Sequence, residues 1–156
     1  MIYIILWRRG SMNHYETIND VLVNLFNEIM DIEQKALATS EFKNISVNDM
    51  HIIAAIGINE PKNMTTVAKA LSVTVGTLTI AVNNLVKKGY VQRVRSEEDR
   101  RVVLISLSEI GKKVYFHHKA FHDKMVIGIL KGLSAQETEV LTRALQNVQE
   151  FFDTYK

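Results

Sequence analysis

From Tyr15 to the end of the chain, apolar residues recur at three- and four-residue spacing, and this helical period breaks in one place, between Gly89 and Ser108. There, two short runs rich in β-branched residues, 90–94 and 102–107, flank the charged segment Arg95-Ser96-Glu97-Glu98-Asp99-Arg100-Arg101. Two such runs around a polar turn form a hairpin. One hairpin set among amphipathic helices restricts the chain to a mainly α fold from which a β-ribbon projects. The chain carries no internal repeat and no low-complexity tract.

The helices are delimited by their caps. Ile18, Leu22, Leu25, Ile29 and Ile32 form one stripe of a long first helix over residues 15–37. Ser46 with Asp49 is a capping box that opens a second, apolar helix running to about Asn59, with Pro61 just beyond. A third helix extends from Thr65 to about Leu71, and Thr74 caps a fourth that continues to Lys88 and stops at Gly89. After the hairpin, Ser108 caps a fifth helix ending at Gly132. Ser134 with Glu137 then opens a last one through Leu141, Leu145, Val148 and Phe152. The expected order is α-α-α-α-β-β-α-α.

The third and fourth helices, joined tightly through Ser72-Val73 with the small Ala68 at their contact, form a helix-turn-helix, and the hairpin is its wing. Charge singles out the same region. The chain totals +2, yet residues 62–101 hold eight basic side chains (Lys62, Lys69, Lys87, Lys88, Arg93, Arg95, Arg100, Arg101) against three acidic ones, a net of +5, while the rest nets −3. Side chains that neutralise phosphates release counterions, which supplies sequence-independent affinity for DNA.

On the fourth helix, Leu78, Val82, Leu85 and Val86 share the core-facing stripe, while Gly76, Thr77, Ile80, Asn83, Asn84 and Lys87 lie toward the other side. That side begins small and polar, as a helix entering a major groove must. Thr77 and Thr79 are expected at phosphates or base edges, Gly76 where the backbone approaches closely, Asn83 at an adenine and Ile80 at a thymine methyl. Thr65, Thr66, Thr74, Lys87 and Arg93 complete the expected contacts in this part. A solvated surface helix, or a winged helix that binds a protein partner, would use similar residues; the basic wing favours double-stranded DNA.

Other chemistries are excluded or left without a signal. No cysteine is present, so thiolate metal sites, cysteine nucleophiles and thiol redox sensing are ruled out, and an intracellular, cytoplasmic home is expected. No Gly-rich phosphate loop, His-Glu-x-x-His or serine nucleophile elbow appears, so the chain is not expected to be an enzyme or to need a cofactor. No apolar run has membrane-spanning length, so no membrane partner is expected. Residues 1–7 are apolar, but Arg8 and Arg9 follow that run rather than precede it, the reverse of a signal peptide. Residues 1–11 are expected to be leader residues added for expression or the product of a start placed too early, with Met12 the true initiator.

The residues Val67-Ala68-Lys69-Ala70-Leu71, Val75-Gly76-Thr77-Leu78-Thr79, Asn83 to Val91 with its Lys87-Lys88-Gly89-Tyr90, Arg93, Asp99-Arg100-Arg101 and Leu107-Ser108-Glu109-Ile110-Gly111-Lys112 resemble the MarR family of dimeric winged-helix regulators. The resemblance extends over 13–156. It implies a homodimer built from residues 12–45 and 108–156, a DNA-binding domain over 46–107, and a near-palindromic operator. It also makes Arg101 the wing arginine oriented by Asp99, with Arg95 and Arg100 near the backbone or minor groove. Ile80 departs from the pattern, since many members carry a basic residue there.

Within the family, the stretches 44–51, 73–77, 93–103 and 118–125 are similar to the FabT group, Gram-positive repressors of fatty-acid synthesis genes. That similarity implies a long-chain acyl group, delivered on acyl carrier protein, as corepressor. The apolar residues Leu25, Ile29, Ile53, Ile56, Phe121 and Met125 are the candidate effector pocket, although core packing uses the same residue types. His118 and His122, four apart on one helix, with His51 on the second helix, keep a zinc-responsive alternative open.

Overall fold

The computed structural model describes residues 13–37, 42, 44–96, 99 and 102–155. The segment 1–11 and the wing residues Glu97, Glu98, Arg100 and Arg101 lie outside the described residues. The elements are α1 (His14–Leu37), α2 (Val47–Ile56), β1 (Lys62–Asn63), α3 (Met64–Ala70), α4 (Val75–Lys87), β2 (Val91–Arg95), β3 (Val103–Leu107), α5 (Glu109–Leu130) and α6 (Ala135–Asp153). They divide into two compact units, residues 1–117 and 118–156.

In the first unit the caps are where the sequence signals lie. The Asp49 N–H donates to Ser46 Oγ (3.2 Å) and the Ser46 N–H to Asp49 Oδ2 (3.0 Å), closing the capping box of α2. This helix stops at Gly57 rather than near Asn59. Gly57 takes φ +71°, and its N–H donates to the Ile53 carbonyl, so the chain turns away before the apolar pattern ends. At the start of α5, Ser108 Oγ accepts the Gly111 N–H (3.1 Å) and donates to the Gly89 carbonyl (2.6 Å).

The sheet holds one strand more than the hairpin. β3 lies in the centre, with β2 antiparallel on one side (Val91 opposite Leu107, Arg95 opposite Val103) and β1 on the other (Lys62 opposite Ile105, Asn63 opposite Leu104). The element order is therefore α-α-β-α-α-β-β-α-α. A two-residue strand has no period to read in a sequence; β1 exists because its backbone meets the free edge of β3. Beneath the sheet lies the core, in which Met50, Ile53, Ile56, Val67, Leu78, Val82, Leu85 and Val114 are essentially inaccessible. Each such side chain stabilises the unit by about 1.5–3 kcal/mol relative to exposure.

The second unit comprises the latter part of α5, a turn at Gly132 (φ +87°) and α6. Ser134 and Glu137 form the expected capping box. Bonds from the Ser134 N–H and hydroxyl hold the Glu137 carboxyl below the ordinary carboxylate range, so this cap contributes at neutral pH and is lost as acidification protonates it. No residue of α6 is buried, and Leu145, Phe151 and Phe152 are each more than half exposed. Among the described residues no single helix is long and apolar enough to cross a membrane.

Candidate nucleic-acid interface

Helices α3 and α4 meet at 106°, within the range of a helix-turn-helix. The link is tight because Ser72 adopts φ +54°, while its N–H donates to the Lys69 carbonyl and the Val73 N–H to that of Ala68. Asn63 caps α3, accepting the Thr66 N–H at 2.8 Å, so the helix opens one residue ahead of the expected Thr65. The Asn63-x-x-Thr66 spacing is a cap signal that was available in the sequence. Buried Leu78, Val82 and Leu85 seat α4 on the core, and this stripe turns Gly76, Thr77, Ile80 and Lys87 outward.

The threonines are not equivalent. Thr65 and Thr66 are exposed at the start of α3. Thr74 Oγ1 accepts the Thr77 N–H (3.1 Å) and lies 2.9 Å from Thr77 Oγ1, so the two hydroxyls share one proton-donor link at the tip of α4. Thr79 Oγ1 donates to the Val75 carbonyl (2.7 Å), which uses its only proton and leaves it an acceptor toward any ligand. Ile80 is 68% exposed, more so than the neighbouring apolar side chains Val73 and Val75, at 41% and 43%.

Asn83, expected at an adenine, is held by a neighbouring arginine. Its Oδ1 accepts the Arg93 guanidinium from β2, tying the middle of α4 to the base of the wing. Bidentate reading of adenine needs both Oδ1 and Nδ2. Oδ1 keeps a second lone pair and Nδ2 its two N–H donors, so the tie to Arg93 restrains the side chain without using up its hydrogen-bonding groups. One other basic group is also modified by context. Lys88 pairs with Asp49 at 2.7 Å, whereas Arg95 and Lys87 are exposed. Asp99 accepts the Val102 N–H with its carbonyl at the wing turn, and its expected partner Arg101, like Arg100, lies outside the described residues.

The other candidate residues are placed as follows. Ile53 and Ile56 are fully buried in the core of the first unit; Leu25 is 43% exposed on α1, and Ile29 is half-buried. Phe121 and Met125, in the second unit, are half-buried. An open recess of about 140 Å³ in the first unit, lined by Gly57, Pro61, Gln92, Ser106 and Lys112 among others, includes none of these candidates. His51 Nε2 is 4.0 Å from the carboxylate of Glu33, which is only 2% exposed, and His122 Nε2 is 2.9 Å from His118 Nε2.

Gly76 permits a test that separates reading from folding. It has no positive φ, and a Cβ built on it meets nothing nearer than Thr74 Oγ1 at 3.8 Å. Gly76→Ala should leave stability unchanged or raise it by up to about 1 kcal/mol, and weaken DNA binding about tenfold if the groove floor lies against this turn, since one blocked close contact is worth roughly 1.4 kcal/mol. Thermal melting and band-shift titration check the two halves.

The comparisons follow the same lines. A family profile described as transcriptional regulator SarA/Rot matches residues 37–116. The chain is 33% identical over 111 residues to the uncharacterized HTH-type transcriptional regulator YpoP of Bacillus subtilis, covering 70% of this chain and 73% of that one. Its structure is similar to that of Streptococcus pneumoniae FabT in complex with DNA, with 42% identity, a TM-score of 0.81, and coverage of 91% and 99% of the two chains. A MarR protein from Peptoclostridium difficile, 19% identical with a TM-score of 0.63 over 96% of this chain and 94% of its own, shares the fold. These proteins are regulators, not enzymes. The chain belongs to the SarA/Rot family of transcriptional regulators and is built as a winged helix of the MarR type.

Proposed function

We propose that this protein is a homodimeric repressor that binds a near-palindromic operator in double-stranded DNA, controls fatty-acid biosynthesis genes, and binds DNA more tightly when a long-chain acyl-acyl carrier protein is present. The observation that carries the reading is the 42% identity, over nearly the whole of both chains, to FabT from S. pneumoniae, whose structure is a complex with DNA. The exposed start of α4 and the arginines of β2 support major-groove and backbone contacts, with Thr65, Thr66, Thr74, Gly76, Thr77, Thr79, Asn83, Lys87, Arg93 and Arg95 as contact residues. Asp99, Arg100 and Arg101 remain the proposed wing tip. The apolar stripes of α1 and α6, open to solvent in the single chain, support the dimer. In it, two reading helices address half-sites about one helical turn apart.

A second reading, a zinc-responsive regulator, is favoured by the buried Glu33 carboxylate beside His51 and by the close pair His118–His122. Carboxylate oxygen and imidazole nitrogen are both zinc ligands.

One band-shift experiment tests both, using the protein's own upstream region and a fatty-acid gene promoter. Adding acyl-acyl carrier protein should strengthen binding by about 5–150-fold, the span of ordinary coupling energies, and zinc or a chelator should change nothing. Indifference to the acyl carrier with a response to zinc overturns the first reading in favour of the second. Absence of binding at low salt rejects both.

A further inference from the structure

Two polar ties meet at the N-terminal turn of α2. From α1, the Gln34 carboxamide accepts the Val47 N–H through Oε1 (3.2 Å) and donates to the Ile45 carbonyl through Nε2 (3.4 Å), pairing with the backbone much as a neighbouring strand would. Two residues along α2 from Val47, Asp49 Oδ2 accepts both the Ser46 N–H (3.0 Å) and the ammonium of Lys88 (2.7 Å), the residue that caps the C-terminal end of α4. Asp49 is 7% exposed. Thus one short segment, residues 45–49, is held by α1 through its backbone and by the end of the reading helix through the Asp49 side chain.

We propose that Gln34 and Asp49 are positioning residues for operator recognition: they fix the direction of α4 relative to α1, and through it the separation of half-sites that the protein accepts. The proposal rests on the dimer reading above. In that dimer α1 carries an exposed apolar stripe, with Ile18 59%, Leu25 43% and Ile32 53% exposed, to the two-fold axis, while α4 meets the DNA. Inserting one base pair between half-sites displaces the far one by about 3.4 Å and rotates it by roughly 35°. A stiff connection from α1 to α4 turns that misfit into lost affinity; a loose one absorbs it.

A purely structural role predicts something else. A partly buried ion pair and a cap also stabilise the unit, and weakening them for that reason alone would lower affinity for every operator by the same factor. Positioning changes the ratio between operators.

The test compares the operator footprinted in the protein's own upstream region with versions carrying one base pair inserted or deleted between half-sites. Wild-type protein should bind the altered versions at least about tenfold more weakly. Gln34→Met and Asp49→Asn should each narrow that ratio to about threefold or less while remaining dimeric by sedimentation. Lys88→Gln leaves the capping box intact, so it should act as Asp49→Asn does even if the latter melts early. Dimeric variants that discriminate spacing as sharply as wild type overturn the proposal, however much their affinity falls. A dimeric wild type that is insensitive to spacing also overturns it. A monomeric wild type overturns the dimer reading, and the proposal with it.

Discussion

Replacing Gly111 with alanine should lower the melting temperature by roughly 4–8 °C, on the scale of 2–4 °C per kcal/mol for a chain of this size. Gly111 sits in the first turn of α5, where alanine is intrinsically favoured by up to about 1 kcal/mol. Space decides against it. A Cβ at this position would lie 2.0 Å from the Tyr90 carbonyl oxygen and 3.1 Å from its carbon. Both atoms are backbone, held by the Ser108 N–H that donates to the same Tyr90 oxygen and by the β2–β3 pairing. Neither can swing aside as a side-chain tip would, so α5 or the base of the wing must move. Overpacking of that kind costs about 3 kcal/mol, leaving a net loss near 2 kcal/mol after the helix gain. Thermal unfolding followed by circular dichroism measures it, with Gly76→Ala as the matched control that should not destabilise. An unchanged or raised melting temperature for Gly111→Ala would falsify the close approach of α5 to the wing.

Ending the chain after Ala144 should leave the winged unit folded but remove high-affinity operator binding. The deletion takes away Leu145, Phe151, Phe152 and Tyr155, which are between 54% and 75% exposed in the single chain. Apolar patches of this extent at a helix end mark an interaction surface. If a second copy covers them, the truncated chain is monomeric or aggregated and engages one half-site at a time. Losing the linked second half-site should weaken binding by about 10²–10⁴-fold, the usual gain from bivalency. Sedimentation and band-shift titration at one salt concentration read the two consequences together. A truncated protein that stays dimeric and binds as tightly as the full chain contradicts the assignment of α6 to the interface.

Local signals accounted for most of the elements. Ser46, Thr74, Ser108 and Ser134 begin helices because a side-chain oxygen at that position satisfies an N–H that the helix cannot. Gly89 and Gly132 end them in the left-handed conformation that glycine adopts without strain. The helix-turn-helix and wing were legible for the same reason: periods and caps are properties of adjacent residues. α2 ends short of Asn59 because Gly57 takes a left-handed conformation that the spacing of Ile56 and Ile58 does not reveal.

The candidate interface was legible in its members and less so in their roles. That Gly76, Thr77 and Ile80 face outward follows from helical period alone. That Thr79 has donated its proton, that Asn83 is engaged by Arg93, and that Lys88 is paired with Asp49 do not. Counting Lys88 among the free basic groups overstates the charge facing DNA.

The order of the helices, the helix-turn-helix, the hairpin and the family are thus legible in the residues alone, because hydrophobic period, capping chemistry and turn residues act over a few positions. Tertiary structure alone decided the third strand, the Gly111 approach to Tyr90, and the joining of α1 to the reading helix through Gln34, Asp49 and Lys88. Those contacts bring together residues 13 to 43 positions apart, and their strength depends on burial and distance, which exist only once the chain has closed on itself.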